Sequence, residues 1–171
     1  MIKKLLPDYT VANVMCLDKS FYETHGIKAV IFDIDNTLVR HTQLTPTDEV
    51  LGYFDFLKNS GIKYAIVSNN TIERVEAFCR GLGVVHYGKA LKPRKKFLKK
   101  TIEALGASAQ ETCLVGDQLF TDMYGANRMK FLSVMVTAVG EDETSFVSFK
   151  RKFERNILKK NRHLLKEYKG E

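Results

Sequence analysis

Five short apolar runs punctuate this chain, and none of them alternates along its length. They are Lys28-Ala29-Val30-Ile31-Phe32, Ile62 to Val67, Val84-Val85-His86-Tyr87, Thr112-Cys113-Leu114-Val115 and Leu132 to Val136. A strand with one wet face alternates apolar and polar side chains, whereas an unbroken apolar run suits a strand buried on both faces. Helix signals fill the gaps. Thr45-Pro46-Thr47-Asp48 opens a helix, with Thr45 as N-cap, Pro46 in the first turn, Asp48 and Glu49 suiting the dipole, and Gly61 as the stop. Further helices are expected from about Thr71 to Arg80, from about Pro93 to Leu105 and from about Phe120 to Met129. Gly81 and Gly83 end the first of these, and Gly106 ends the second. This rhythm predicts a three-layer α/β/α fold, a doubly wound parallel sheet with helices on both faces. Ligands in such sheets bind outside the carboxyl ends of the strands, so the polar residues just after each run are the candidates for function.

The first run leads straight into Asp33-Ile34-Asp35-Asn36-Thr37. Two carboxylates at the end of a buried strand repel each other and lose hydration. Extended-chain spacing turns both to one side, where a divalent cation would compensate them; a simple Asp/Asn turn is the competing reading. The fourth run ends at Gly116-Asp117, with Asp122 five residues on. These two also suit helix caps. If the first and fourth strands are neighbours, Asp33, Asp35 and Asp117 converge. Oxygen donors without His or Cys favour magnesium over zinc. The second run ends at Ser68-Asn69-Asn70 before a helix, where a hydroxyl and backbone N–H groups form a phosphate cradle or an N-cap. Lys92 precedes Pro93 at an expected helix start, against the helix dipole. Neutralising a bound phosphoryl group gives it a reason to be there.

Four such motifs in order resemble the haloacid dehalogenase-like (HAD) superfamily: Val30 to Val39 with Asp33 and Asp35, Ile66-Val67-Ser68-Asn69, Lys92-Pro93, and Val115-Gly116-Asp117 with Asp122. More narrowly, Leu6-Pro7-Asp8, Ser68-Asn69-Asn70, Gly116-Asp117-Gln118-Leu119 and Phe153-Glu154-Arg155-Asn156 resemble the YqeG-type branch of subfamily IIIA, related to phosphatidylglycerophosphate phosphatases. The resemblance implies a HAD-like Rossmannoid core. It also implies hydrolysis of a phosphomonoester through an aspartyl-phosphate. Asp33 would be the nucleophile and Asp35 the acid and base. Ser68, Asn69 and Lys92 would hold the phosphoryl group. Mg2+ would be held by Asp33, the Asp35 carbonyl, Asp117 and Asp122.

Thirty-two residues separate Asp35 from Ser68, and 23 separate Ser68 from Lys92. Neither gap holds a cap domain, so the expected site is capless and open, with a short flap from about Leu38 to Leu44 in which Arg40 and His41 could read the substrate. Open sites suit large or surface-bound substrates.

The formal charge of +7 is concentrated at one end: residues 150–169 carry nine Lys and Arg against Glu154 and Glu167. The chain thus divides into a near-neutral domain over 1–143, including an N-terminal extension, and a basic segment over 144–171. Phe146, Phe149, Phe153, Ile157 and Leu164 or Leu165 recur there at helical spacing, as one helix or two. This segment packs on the core, rests on an anionic membrane as a peripheral contact, or meets RNA or a protein partner. No nucleic-acid module is visible. A lipid-linked phosphomonoester is the favoured substrate by resemblance. The alternative is a HAD-scaffold RNA- or protein-binding assembly factor with other or vestigial phosphatase activity. No apolar run approaches the roughly 20 residues of a bilayer span, and three widely spaced cysteines, Cys16, Cys79 and Cys113, suit buried thiols in a reducing compartment. A cytoplasmic protein, or one at the inner face of the membrane, is expected.

Overall fold

The computed structural model describes residues 2–140 and 145–170, with the side chains of 145–149 excepted. All five apolar runs are strands: β2 (Ala29–Phe32), β3 (Lys63–Val67), β4 (Val85–Tyr87), β5 (Thr112–Gly116) and β6 (Leu132–Val136). The N-terminal segment adds β1 (Tyr9–Val11), which the sequence did not announce. The order is β1-β6-β5-β2-β3-β4, and every pairing is parallel. Phe32 is level with Ile66 on one side and Val115 on the other, so β2, β3 and β5 end together. The chain runs outward from β2 through β3 to β4, then returns to β5 on the other side of β2. That reversal creates a crevice at the carboxyl ends of the central strands.

Two apolar layers hold the helices to the sheet. On one face α1 (Lys19–Thr24), α2 (Asp48–Asn59) and α3 (Ile72–Cys79) bury Phe21, Phe54, Leu57 and Phe78 against Val30, Phe32 and Ile66. On the other, α4 (Lys95–Leu105) and α5 (Tyr124–Met129) bury Leu98 and Ala126 against Ile31, Val67 and Leu114. Burying each large side chain contributes roughly 1.5–3 kcal/mol, and the central strands contribute on both faces at once.

Several helix starts differ from expectation. The N-cap of α2 is Thr47, whose hydroxyl accepts from Val50 N at 3.2 Å, rather than Thr45. Both threonines suit a cap; the observed register places Val50, Tyr53, Phe54 and Leu57 inward. Helix α4 begins at Lys95, because Arg94 N turns back onto Leu91 O and leaves Lys92-Pro93 in a loop. Lys92 therefore does not oppose the dipole of α4. Beyond β5 the chain makes a wide π-type turn over Leu119–Met123 before α5, a device frequent at functional sites.

The basic segment forms α6 (Ser145–Lys160), a short 3-10 turn at Arg162–Leu164 and an extended end. Ile157 and Leu158 pack on the α4–α5 layer, while Tyr168 N donates to Thr10 O and Thr10 N to Lys166 O, strapping the chain end along β1. Thr144 and the side chains of Phe146 and Phe149 lie outside what is described. The three thiols are free, and among the described residues no helix is long and apolar enough to cross a membrane.

Candidate active site

The residues singled out at the strand ends meet at the carboxyl edge of the sheet. Asp33 follows β2, with its backbone N–H on Val115 O. Asp117 follows β5. Asp122, from the π-type turn, folds back so that its Oδ2 accepts from Gln118 N at 3.1 Å. Oxygens of Asp33, Asp117 and Asp122 all lie within 4.8 Å of one another, and all three residues are buried. The close approach of Asp122 depends on Gly116: a Cβ there would stand 2.4 Å from Asp122 Cγ.

Lys92 enters this cluster from the α4 side. Its ammonium donates to Asp33 Oδ1 at 2.7 Å and lies 2.7 Å from Asp122 Oδ1. The second contact is one of charge without hydrogen-bond alignment, since Asp122 Oδ1 has no hydrogen-bond partner. Asn69 fixes where Lys92 stands: its side chain accepts from Lys92 N at 2.6 Å and donates to Lys92 O at 3.1 Å. Ser68 is buried beside it, with its Oγ accepting from Asn70 N at 3.2 Å.

Asp35 has different neighbours from Asp33. The chain after Asp33 coils, with Leu38 N on Ile34 O and Asn36 at a φ of 60° that Asn tolerates. Asp35 stands outside the three-carboxylate cluster, while its charge still pushes the Asp33 carboxyl up. Asp35 Oδ1 accepts from Arg74 Nη2 at 3.0 Å, and Oδ2 accepts from Asn70 Nδ2 at 2.8 Å. Arg74 also donates to Gln43 O at 2.6 Å and Leu44 O at 3.0 Å, so one buried guanidinium ties Asp35 to the flap. Arg40 and His41, the other flap residues, are exposed.

A second guanidinium comes from α6. Arg151 pairs with Asp117 Oδ2, and Thr37 donates to Asp117 Oδ1 at 3.3 Å. Beside it, Lys150 donates to Gln118 Oε1 at 2.6 Å, and buried Glu154 accepts from Phe120 N at 3.1 Å. Among the described residues no inserted domain covers the site, yet α6 borders it on the β5 side. Neither Arg74 nor Arg151 stood out in the sequence: each looks like one more cation on a helix, and only the fold brings it to a carboxylate.

The electrostatics are those of a crowded anionic pocket. Burial pushes the Asp33 carboxyl up to about 6, Lys92 pulling it down and Asp122 pushing it further up. Burial likewise pushes Asp117 up to about 7, with Asp122 adding to the rise and Arg151 opposing it. Burial disfavours the Lys92 ammonium, but Asp122 and Asp33 outweigh it and hold its pKa above the usual lysine value. Three buried carboxylates facing two cations leave a deficit of positive charge, and an all-oxygen donor set of this kind fits a hard divalent cation.

A doubly wound parallel sheet with its acidic cluster at the switch point defines a class of nucleotide- and phosphate-handling α/β enzymes. Comparison narrows it. Residues 39–130 match the haloacid dehalogenase-like hydrolases, a span that takes in the loops of Ser68, Lys92 and Asp117 and starts just past Asp35. The protein named "Probable phosphatase YqeG" from Bacillus subtilis is 34% identical over 159 residues, covering 92% of each chain. A phosphatidylglycerophosphate phosphatase of Arabidopsis thaliana is 26% identical over 166 residues, covering 91% of this chain and 48% of that protein. Among solved structures, the cobalt-bound deoxy-D-mannose-octulosonate 8-phosphate phosphatase of Haemophilus influenzae superposes with a TM-score of 0.53 at 18% identity, over 80% of this chain and 90% of that one. It supports the three-layer fold. The chain belongs to the haloacid dehalogenase-like hydrolase family, as a phosphoric monoester hydrolase.

Proposed function

We propose that this phosphatase is magnesium-dependent, works through an aspartyl-phosphate on Asp33, and acts on phosphatidylglycerophosphate. The observation that carries the chemistry is the Asp33–Lys92 pair. A buried carboxylate is held at 2.7 Å from an ammonium, beside two more carboxylates, and the residue bearing that ammonium is tied to the Ser68-Asn69-Asn70 turn through Asn69. With its pKa near 6, Asp33 is largely ionised at neutral pH, and Lys92 fixes one of its oxygens and so orients the other.

One oxygen of Asp33 attacks phosphorus, and the bond to the leaving oxygen breaks as Asp35 gives that oxygen a proton. Asp35 then takes a proton from the water that displaces Asp33, releasing inorganic phosphate and restoring both groups. Ser68 Oγ, the Asn69 N–H and Lys92 hold the phosphoryl oxygens. Asp33, Asp117, Asp122 and the Asp35 carbonyl would hold a magnesium ion, which would supply positive charge against the phosphoryl oxygens.

Support for the lipid substrate comes from the name of the Arabidopsis relative, the absence of an inserted cap among the described residues, and the outer side of α6. That side turns Lys152, Phe153, Arg155, Lys159 and Lys160 outward, a composition suited to an anionic surface. The test is Asp33→Asn, which should abolish magnesium-dependent hydrolysis of phenyl phosphate with the circular dichroism spectrum unchanged; an active variant overturns the nucleophile. For the substrate, phosphate release from phosphatidylglycerophosphate in mixed micelles should exceed release from nucleotides, sugar phosphates and phosphopeptides.

A further inference from the structure

Asp35 is held at both of its oxygens, by donors from two different elements. Arg74, on α3, donates to Oδ1 at 3.0 Å, and Asn70 Nδ2, from the turn after β3, donates to Oδ2 at 2.8 Å. A carboxyl with one hydrogen bond still turns about its Cβ–Cγ bond, whose torsion is broad. A second donor on the other oxygen sets its plane.

Asn70 uses every polar group it has. Its N–H donates to Ser68 Oγ at 3.2 Å, and its carbonyl accepts from Lys89 N at 2.7 Å. Its side-chain Oδ1 accepts from Thr71 N at 2.7 Å, so the donor end of the amide is the end that faces Asp35. Capping does not account for this side chain. The N-cap of α3 is Thr71, whose hydroxyl accepts from Arg74 N at 3.2 Å. Packing does not account for it either, because Asn70 is exposed. What remains is its reach to Asp35. The bond to Ser68 also matters: the Asn70 N–H occupies a lone pair of that hydroxyl and leaves the Ser68 O–H to donate. One residue thus sets Ser68, which receives the phosphoryl group, in register with Asp35, which serves the leaving group.

We infer that Asn70 is a positioning residue for proton transfer at Asp35. The inference rests on the phosphatase reading and deepens it at that carboxyl. Arg74 and the Asn70 amide nitrogen only donate, so neither can take a proton that Asp35 carries. The acceptor is the leaving oxygen. As its bond to phosphorus breaks, the electron pair stays on that oxygen, the Asp35 O–H bond breaks and the proton follows. Asn70 keeps the carboxyl turned to where this happens. Arg74 also anchors the flap, so removing it mixes two effects, whereas Asn70→Ala removes one contact to Asp35 and no apolar packing.

The test compares phenyl phosphate with 2,4-dinitrophenyl phosphate, in magnesium, through kcat/KM, which reports the steps up to the first phosphoryl transfer. Phenolate is basic and leaves with a proton; dinitrophenolate leaves without one. Asn70→Ala should lower kcat/KM on phenyl phosphate by about tenfold, part of what a placed acid contributes, and leave the value for the dinitrophenyl ester within about twofold of wild type. Asn70→Asp has the same size and retains the contact to Thr71, but sets a carboxylate against Asp35; it should lose at least as much on phenyl phosphate. Inhibition by inorganic phosphate should be unchanged in both variants, because Ser68, Asn69 and Lys92 remain. Equal losses on the two esters, weaker phosphate inhibition in step with the loss, or wild-type kcat/KM in both variants overturn the inference. Asp35→Asn separates it from the reading beneath it. That variant should lose about 10²-fold on phenyl phosphate and far less on the dinitrophenyl ester. If it does so while the Asn70 variants do not, the role of Asn70 falls and the phosphatase reading stands. If Asp35→Asn loses equally on both esters, Asp35 is not the proton donor and the inference falls with that reading.

Discussion

Arg74 and Asp35 are joined at 3.0 Å by a guanidinium nitrogen that also donates to Gln43 O at 2.6 Å. The arginine side chain is 7% exposed and the aspartate's 17%, so solvent screens the pair only weakly. Asp35 cannot swing away without breaking the flap's anchor, and the flap cannot open without releasing Asp35.

Arg74 is therefore a positioning residue. Arg74→Ala should lower kcat roughly 10²-fold, in the range of losing one placed acid–base group, and destabilise the fold by about 3 kcal/mol through the uncompensated carboxylate. Arg74→Lys should recover less than half of the lost stability, because one ammonium cannot span Asp35 and two carbonyls. Amide exchange over residues 40–44 should quicken in both variants. Unchanged exchange there would separate the flap from Asp35.

Gly116 offers a sharper steric probe. A methyl group would stand 2.4 Å from Asp122 Cγ, so Gly116→Ala must push Asp122 off Lys92. Overpacking of this kind costs about 1–3 kcal/mol. Urea unfolding should report that loss, and isothermal titration should show magnesium affinity falling at least tenfold.

The N-terminal segment is tested through Asp8. Its Oδ2 accepts from Ser133 N at 2.9 Å and Ser133 Oγ at 2.7 Å, while Asp8 N donates to Ser133 O. This clamps β1 to β6. Asp8→Ala should lower the unfolding free energy by about 2 kcal/mol, as for lost hydrogen bonds to a charged group, with kcat for phenyl phosphate changed less than twofold. A large fall in kcat would place the segment in the chemistry.

The same segment marks where sequence reasoning stopped. The five inner strands were legible because a run such as Ala29–Phe32, buried at every position, leaves no other reading. Strand β1 has three residues, two of them half-buried, and its partners lie more than a hundred residues away. Lys92 drew notice through a helix start that in the structure lies at Lys95, whereas the turns bearing Asp33, Ser68 and Asp117 were legible because each polar group follows an apolar run. Arg74 was not: a cation near the start of a helix capped by Thr71 reads as solvated surface, and its burial follows from flap carbonyls that no local pattern predicts. Arg151 sits in a basic segment whose charges invite a partner outside the chain, yet this one meets Asp117 within it.

That contact shapes the pH behaviour. Without metal, Asp33 and Asp117 are pushed from 3.8 up to about 6 and about 7, in each case mainly by burial. Carboxyls whose folded pKa exceeds the unfolded value bind more protons in the fold than in the unfolded chain. The stability they contribute is present below about pH 4 and is lost as pH rises through 6 to 7. The melting temperature in chelator should therefore contain a component that declines across pH 4–7, and Asp117→Asn should show a shallower decline. Magnesium reverses the sign, since it binds the ionised carboxylates. Its affinity should climb steeply from pH 5 to about 7.5 and then level off, with protons released to buffer, as calorimetry in buffers of different ionisation enthalpy would register. Arg151 competes with the metal at Asp117 and holds that carboxyl's pKa down, so Arg151→Gln removes the competitor and lets the pKa rise further. In chelator that variant should be less stable than the wild type above pH 7, and magnesium should raise its melting temperature by more than it raises the wild type's. An equal magnesium increment in both proteins would mean that Arg151 and the metal do not share Asp117.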